Sequence, residues 1–256
     1  MKVVILAGGM GTRLREETEY RPKPMVQIGG RPILWHIMKI YALYGCTDFV
    51  VCLGYKGDVI RDYFLNYESR HCDVTVTLGC GRVEYHGRHD EDGWRVTMAE
   101  TGDKTMTGGR LRRVAGYVGG SAFMATYGDG VADVDLDALV RFHRREGKLA
   151  TVTAVRPSSR YGELAIDNGR VTLFREKPQV NQGWINGGFF VFEPAVLDFI
   201  RGDGDTLEAG LLSRLAEQGE LAVYQHTGFW QCMDTYREKQ QLEELWANGK
   251  APWRRW

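Results

Sequence analysis

Lys2-Val3-Val4-Ile5-Leu6-Ala7-Gly8-Gly9-Met10-Gly11-Thr12-Arg13-Leu14 opens the chain with an apolar run that breaks off into glycines. Lys2 to Leu6 shows no polar alternation, which reads as a strand buried on both faces, and Gly8-Gly9 ends it as a loop does. A strand covered on both sides belongs to a sheet with helices above and below, which requires helices and strands to alternate downstream.

They do. After a long loop, Pro32 suits a first helical position, and Ile33, Leu34, Ile37, Met38, Ile40, Tyr41 and Tyr44 follow at helical spacing before Gly45. Phe49 to Leu53 reads as a second strand, Asp58 to Asn66 as a helix, and Asp73 to Leu78 as a third strand with clear alternation. Between Gly79 and Gly109 the pattern breaks into short polar pieces, including Trp94 to Ala99, which read as a small antiparallel excursion. Strands then read at Ser121 to Tyr127, Ala150 to Val155, Leu164 to Ile166, Val171 to Phe174 and Trp184 to Phe192. Helices read near Leu111 and at Leu136 to Arg145, Leu207 to Glu217 and Tyr236 to Trp246. The expected fold is α/β, a mostly parallel twisted sheet flanked by helices, with small antiparallel β insertions. The expected organisation is one domain over 1–256, with a β-rich insertion near 79–109 and a helical tail near 234–256.

The 256 residues carry 33 Lys plus Arg against 33 Asp plus Glu, so no net field draws the chain to nucleic acid or an anionic membrane; small molecules are the expected partners. No apolar run is long enough for a signal core or a span, and five irregularly spaced cysteines make no disulfide framework, so the cytoplasm is the expected compartment. Cys72 and Cys80 lack a second pair, and His86 and His89 lack partners at finger-like spacing, so these residues read as incidental rather than metal-binding.

Four segments carry chemistry. Gly8, Gly9 and Gly11 let backbone N–H groups approach phosphates, and Arg13 adds a forked cation; the loop matches neither the Walker pattern nor the dinucleotide fingerprint. Arg21-Pro22-Lys23-Pro24-Met25 holds Lys23 between prolines, which suits a phosphate as well as it suits a stiff surface loop. Thr126-Tyr127-Gly128-Asp129-Gly130 puts a carboxylate at the end of a buried strand, where ligands of open α/β sheets gather, and Asp129 is a magnesium-ligand candidate that calls for a second acid. Asp234 precedes the last helix and alone reads as an ordinary N-cap. Glu176-Lys177-Pro178 and Trp184-Ile185-Asn186-Gly187-Gly188 fit a polyol site with an attached phosphate.

In this order the segments resemble the sugar-nucleotide pyrophosphorylases, or nucleotidylyltransferases, whose Gly-Gly-x-Gly-Thr-Arg-Leu followed by Pro-Lys-Pro is highly specific; the resemblance covers essentially the whole chain. It sharpens toward the CDP-glucose-forming branch at Pro32 to Lys39, Thr101-Gly102-Asp103, Met106 to Arg110, Tyr127 to Gly130, Ile185 to Phe190 and Lys250-Ala251-Pro252-Trp253. The pattern departs at Asp205-Thr206-Leu207-Glu208, where the family would carry a tryptophan before the glutamate, and across Tyr85 to Trp94.

The resemblance implies a Rossmann-like nucleotidyltransferase fold, and CTP and a sugar 1-phosphate as substrates. It places CTP on Leu6, Ala7, Gly8, Gly9, Gly11, Thr12, Arg13, Thr107 and Gly108, with its α-phosphate on Lys23. Mg²⁺ falls to Asp129 and Asp234, and the sugar phosphate to Gly162, Glu176, Lys177, Asn186 and Gly187. Arg110 or Arg112 would reach the nucleotide, Arg13 and Lys23 would carry the catalytic charge, and a homo-oligomer is expected. Three alternatives stay open: a UTP- or dTTP-using or other-sugar relative, a catalytically silent binding subunit, and an NAD-dependent oxidoreductase, which this glycine pattern disfavours. Trp246, Trp253 and Trp256 suggest either a subunit contact or a tail packed on its own chain.

Overall fold

Seven strands form one sheet whose edge-to-edge order is Leu221–Gln225, Ala150–Val155, Ile185–Phe192, Phe123–Tyr127, Lys2–Leu6, Asp48–Leu53 and Arg95–Glu100. Ile185–Phe192 is antiparallel to both neighbours, and every other pairing in this sheet is parallel. The structure, a computed structural model, describes residues 1–157, 163–167, 170–175 and 183–256.

The opening run is buried on both faces because alternate side chains enter two separate cores. Val3 and Ile5 join Phe49, Val51, Met124, Phe189 and Val191 on one face; Val4 and Leu6 join Val50, Cys52, Ala125, Phe190 and Phe192 on the other. Helix Ile33–Ala42 covers the first face through Ile33, Leu34, Ile37, Met38 and Tyr41. Leu111, Leu207, Leu211 and Leu215 cover the second. The C-terminal tail packs on the first face: Trp253 is fully buried, its ring and that of Trp246 lie edge-on to His36, and His36 Nε2 meets the Ile28 carbonyl oxygen at 2.8 Å. Burial pushes the His36 imidazole down to about 4, so it is neutral at physiological pH.

Two sequence expectations change. Asp73–Thr77 is not the third strand of the main sheet. It pairs antiparallel with Arg82–His86 as an exposed hairpin, and Arg95–Glu100 takes the place beside Asp48–Leu53. Val74 and Val76 alternate with threonines and stay exposed on the hairpin, whereas Arg95–Glu100, at the sheet edge, packs Val96 and Met98 against the first core and buries Ala99 in the second. The antiparallel insertion therefore spans 73–86 rather than beginning at 79, and Thr107–Arg113 is helical. The loop before Pro32 also holds more order than its composition suggests, with 3₁₀ turns at Thr12–Leu14 and Lys23–Met25 and a two-residue ladder, Gln27–Ile28 with Arg31–Pro32.

Leu207–Leu212 is a π-type turn entering the α-helix Ser213–Glu217, with Thr206 Oγ1 accepting from Gly210 N. Among the described residues no helix is long and apolar enough to cross a membrane.

Candidate active site

The carboxyl ends of Lys2–Leu6 and Phe123–Tyr127 lie side by side at the centre of the sheet, and Gly128 N donates to the Leu6 carbonyl. The chain leaves the first strand toward Asp48–Leu53 on one side and later returns on the other, which opens a crevice at this switch point. A cavity of about 560 Å³ fills it, lined by Leu6 to Arg13, Lys23, Pro24, Asp103 to Thr107, Arg110 and Tyr127 to Asp129.

The loop is shaped from behind. Arg110 is buried; its guanidinium donates to the carbonyls of Gly8 (3.0 Å) and Leu53 (2.8 Å) and to Thr101 Oγ1 (2.6 Å). Any side chain at Gly8 would meet that guanidinium, so Gly8 is required by close approach. Gly11 has φ +62°, in the left-handed region, and Thr18 Oγ1 ties its carbonyl to the following turn. Arg110 thus lines the cavity while its hydrogen bonds go to protein oxygens. Arg112 is turned to the carbonyls of Ile200 and Arg201.

Lys23 is buried at the start of its 3₁₀ turn, with Pro22 extended before it. Its Nζ donates to Asp129 Oδ2 and Asp234 Oδ1, each at 2.5 Å. Arg13, 74% exposed, reaches the other oxygen of Asp234 at 2.7 Å. Burial pushes the Lys23 ammonium pKa down, but the two carboxylates outweigh it and the net shift is upward. Burial pushes Asp234 up, and Lys23 and Arg13 reverse that to a net lowering. Lys23 is therefore a held cation at neutral pH.

Asp129 and Asp234 meet through a ladder too short to read in the sequence, Gly130–Ala132 with Trp230–Cys232, closed by Met233 N donating to the Asp129 carbonyl. Asp234 is not the N-cap. Thr235 caps the last helix in a reciprocal box with Glu238, which leaves the Asp234 carboxylate free to face Lys23. Two carboxylate oxygens directed at one ammonium form a hard-oxygen donor pair, and that set suits a magnesium ion with phosphate oxygens and waters completing its shell.

The other expected residues divide. Leu6, Ala7, Gly8, Gly9, Gly11, Thr12 and Thr107 line the cavity. Gly108 lies outside that lining and packs on the backbone of Asp205 and Thr206. Asn186 Nδ2 donates to the Tyr127 hydroxyl at 3.1 Å, and the Gly187 carbonyl accepts from Trp230 Nε1 at 2.7 Å. Gly162, Glu176 and Lys177 fall outside the described residues.

The sequence reading missed Glu208. Its carboxylate accepts from the Tyr127 hydroxyl (2.5 Å) and from Thr107 Oγ1 (3.0 Å), joining the two sides of the crevice. Its place in the departing segment gave no signal. No thiol here is an available nucleophile: Cys232 is pushed up to about 12 by burial, then by Asp234 and Glu238.

A family model described as nucleotidyl transferase matches residues 2–235. The chain is 55% identical to glucose-1-phosphate cytidylyltransferase of Salmonella typhi, covering all of both chains. It is 31% identical to mannose-1-phosphate guanyltransferase beta-B of Xenopus laevis over 90% of this chain and 60% of that one. Among solved structures, HddC from Yersinia pseudotuberculosis superposes with a TM-score of 0.71 at 23% identity, covering 96% of this chain and 99% of the other, a likeness of fold.

Proposed function

The chain belongs to the nucleotidyl transferase family, and we propose that it joins CMP from CTP to α-D-glucose 1-phosphate, giving CDP-glucose and pyrophosphate. One observation carries the chemistry: Lys23, Arg13, Asp129 and Asp234 converge at the mouth of a nucleotide-sized cavity beside a glycine loop. The choice of CTP and glucose is supported by 55% identity along the full length of a relative of that name.

A phosphate oxygen of glucose 1-phosphate attacks the α-phosphorus of CTP, the new P–O bond forms as the bond to the β-phosphate oxygen breaks, and pyrophosphate leaves in line. The nucleophile is already an anion, so no base is required; the obstacle is bringing two anions together. Lys23, held in one direction by its turn and two carboxylates, offers its charge to the α-phosphate, and Arg13 at the cavity mouth offers a second cation to the departing phosphates. The Arg110 brace sets the curvature of the Gly8 loop that receives the triphosphate. Asp129 and Asp234 would hold Mg²⁺, which neutralises phosphate charge when bound. Leu6, Ala7, Pro24 and Met106 supply the apolar part of the cavity wall beside the reacting groups.

The test is pyrophosphate release with glucose 1-phosphate and Mg²⁺, comparing CTP, UTP, dTTP, ATP and GTP. Release with CTP, absent when metal or sugar phosphate is omitted, is the expected result. Release with another triphosphate alone overturns the base assignment, and none with any triphosphate overturns the reaction.

A further inference from the structure

Spacing along the chain gave Cys72 and His89 no metal partners, yet the fold brings both to Glu68. Helix Tyr67–His71 ends directly before Cys72, so Glu68 and Cys72 stand one helical turn apart, and Cys72 Sγ lies 3.8 Å from Glu68 Oε2. His89 arrives from the turn after the hairpin and places Nε2 2.8 Å from the same Glu68 oxygen. The thiol, the imidazole nitrogen and the carboxylate oxygen all lie within 4.8 Å of one another. None of these residues lines the active-site cavity.

From these contacts we infer that Glu68, Cys72 and His89 form a binding site for a zinc-class transition-metal ion, with water in the fourth position. Sulfur, nitrogen and carboxylate donors together select zinc over the magnesium expected of the all-oxygen pair Asp129 and Asp234. Zinc bonds of about 2.0–2.3 Å in a tetrahedron separate ligand atoms by roughly 3.3–3.6 Å, so the triad closes on the ion by shifts of about an ångström.

The surroundings of His89 support the assignment independently of the three ligand atoms. Its other nitrogen, Nδ1, is buried, has no hydrogen-bond partner, and faces Glu91 Oε2 at 3.5 Å. Glu91 is itself buried and fixed by Trp35 Nε1 at 3.0 Å and Lys39 Nζ at 3.4 Å. A carboxylate set behind the second nitrogen of a histidine is how metal-binding imidazoles are oriented, and a modest rotation completes that hydrogen bond.

The consequence is mechanical. Cys72 immediately precedes the hairpin Asp73–Thr77 and Arg82–His86, and His89 follows it by three residues. An ion held by both, and by a helix on the body of the protein, clamps the two ends of a hairpin that is otherwise exposed along its length.

The 256-residue chain, with Mg²⁺ in excess to occupy the oxygen site, is titrated with Zn²⁺ by calorimetry and with Co²⁺ by absorbance. Wild type takes up one equivalent and shows thiolate-to-cobalt charge transfer. Cys72→Ser and His89→Gln each lose that equivalent and the band, whereas Cys80→Ser and Asp129→Asn keep both. Absence of the band in wild type, or its persistence in either Cys72→Ser or His89→Gln, overturns the site. Amide hydrogen exchange over 73–86 slows on zinc addition in wild type but not in Cys72→Ser; exchange indifferent to zinc overturns the clamp.

Discussion

The crevice at the centre of the sheet and the hairpin at its periphery are built from the same kinds of residue under opposite constraints. Beside the crevice, strand side chains are covered on both faces, and the loops that leave the strands are fixed by buried hydrogen bonds such as those of Arg110. In the hairpin, Val76 is 52% and Leu78 89% exposed, and pairing is confined to two strands. Apolar alternation alone therefore does not tell a core strand from a projecting one. What separates them is whether other elements arrive on both sides.

The two regions differ most at Lys23, where the rigidity of the crevice is converted into charge placed on a substrate. Lys23→Ala is expected to lower turnover at saturating substrates by about 10²–10³, the usual effect of deleting one preorganised electrostatic group. The loss is in kcat more than in folding, because the side chain leaves its turn and the Pro22 backbone intact. Wild-type turnover in steady-state assays of this variant would falsify the role.

A smaller effect measures the two environments directly. Ile5→Ala removes a side chain with no exposure from the first core and is expected to cost about 2–5 kcal/mol in urea unfolding. Val76→Ala on the hairpin is expected to stay within about 0.5 kcal/mol. If Val76→Ala cost as much as Ile5→Ala, the hairpin would be covered in solution and the contrast between the regions would collapse.

The central strands were legible in the sequence because a two-sided burial pattern is local: Lys2 to Leu6, Phe49 to Leu53 and Ala150 to Val155 each announce themselves in five or six residues. Leu221–Gln225 was missed although Leu221 to Tyr224 is apolar, because the run is only four residues long and, as an edge strand, is only partly covered. At the site, Gly8, Gly11, Arg13, Lys23 and Asp129 were visible as residue types in suitable loops. Asp234 alone read as a cap, although Thr235 and Glu238 spell a capping box that assigns the cap elsewhere. Glu208 had no local signature, and although Glu68 and Cys72 are one helical turn apart, His89 joins them only through the hairpin's path, so no spacing rule could complete the set.

The finest distinction between the two regions is electrostatic, and it appears in how stability responds to acid. Lys23, raised above its ordinary 10.5, contributes fully below that value and loses its contribution only as the pH climbs through the raised one. Asp234, lowered below 3.8, contributes fully above 3.8 and loses its contribution as the pH falls through the lowered value. Between these limits the stability gap between the metal-free wild type and Asp234→Asn is expected to be flat, and on the acid side it should narrow. Asp203, lowered by its hydrogen bond from Arg113, and Asp205, which burial raises but the Arg201 backbone N–H and then Arg214 bring to a net lowering, titrate in the same region but are common to both proteins and cancel in the difference. Urea midpoints measured in parallel from neutral pH to below 3.8 decide the matter: a gap that ignores pH would mean that Asp234 and Lys23 meet in the fold without acting on each other's charge.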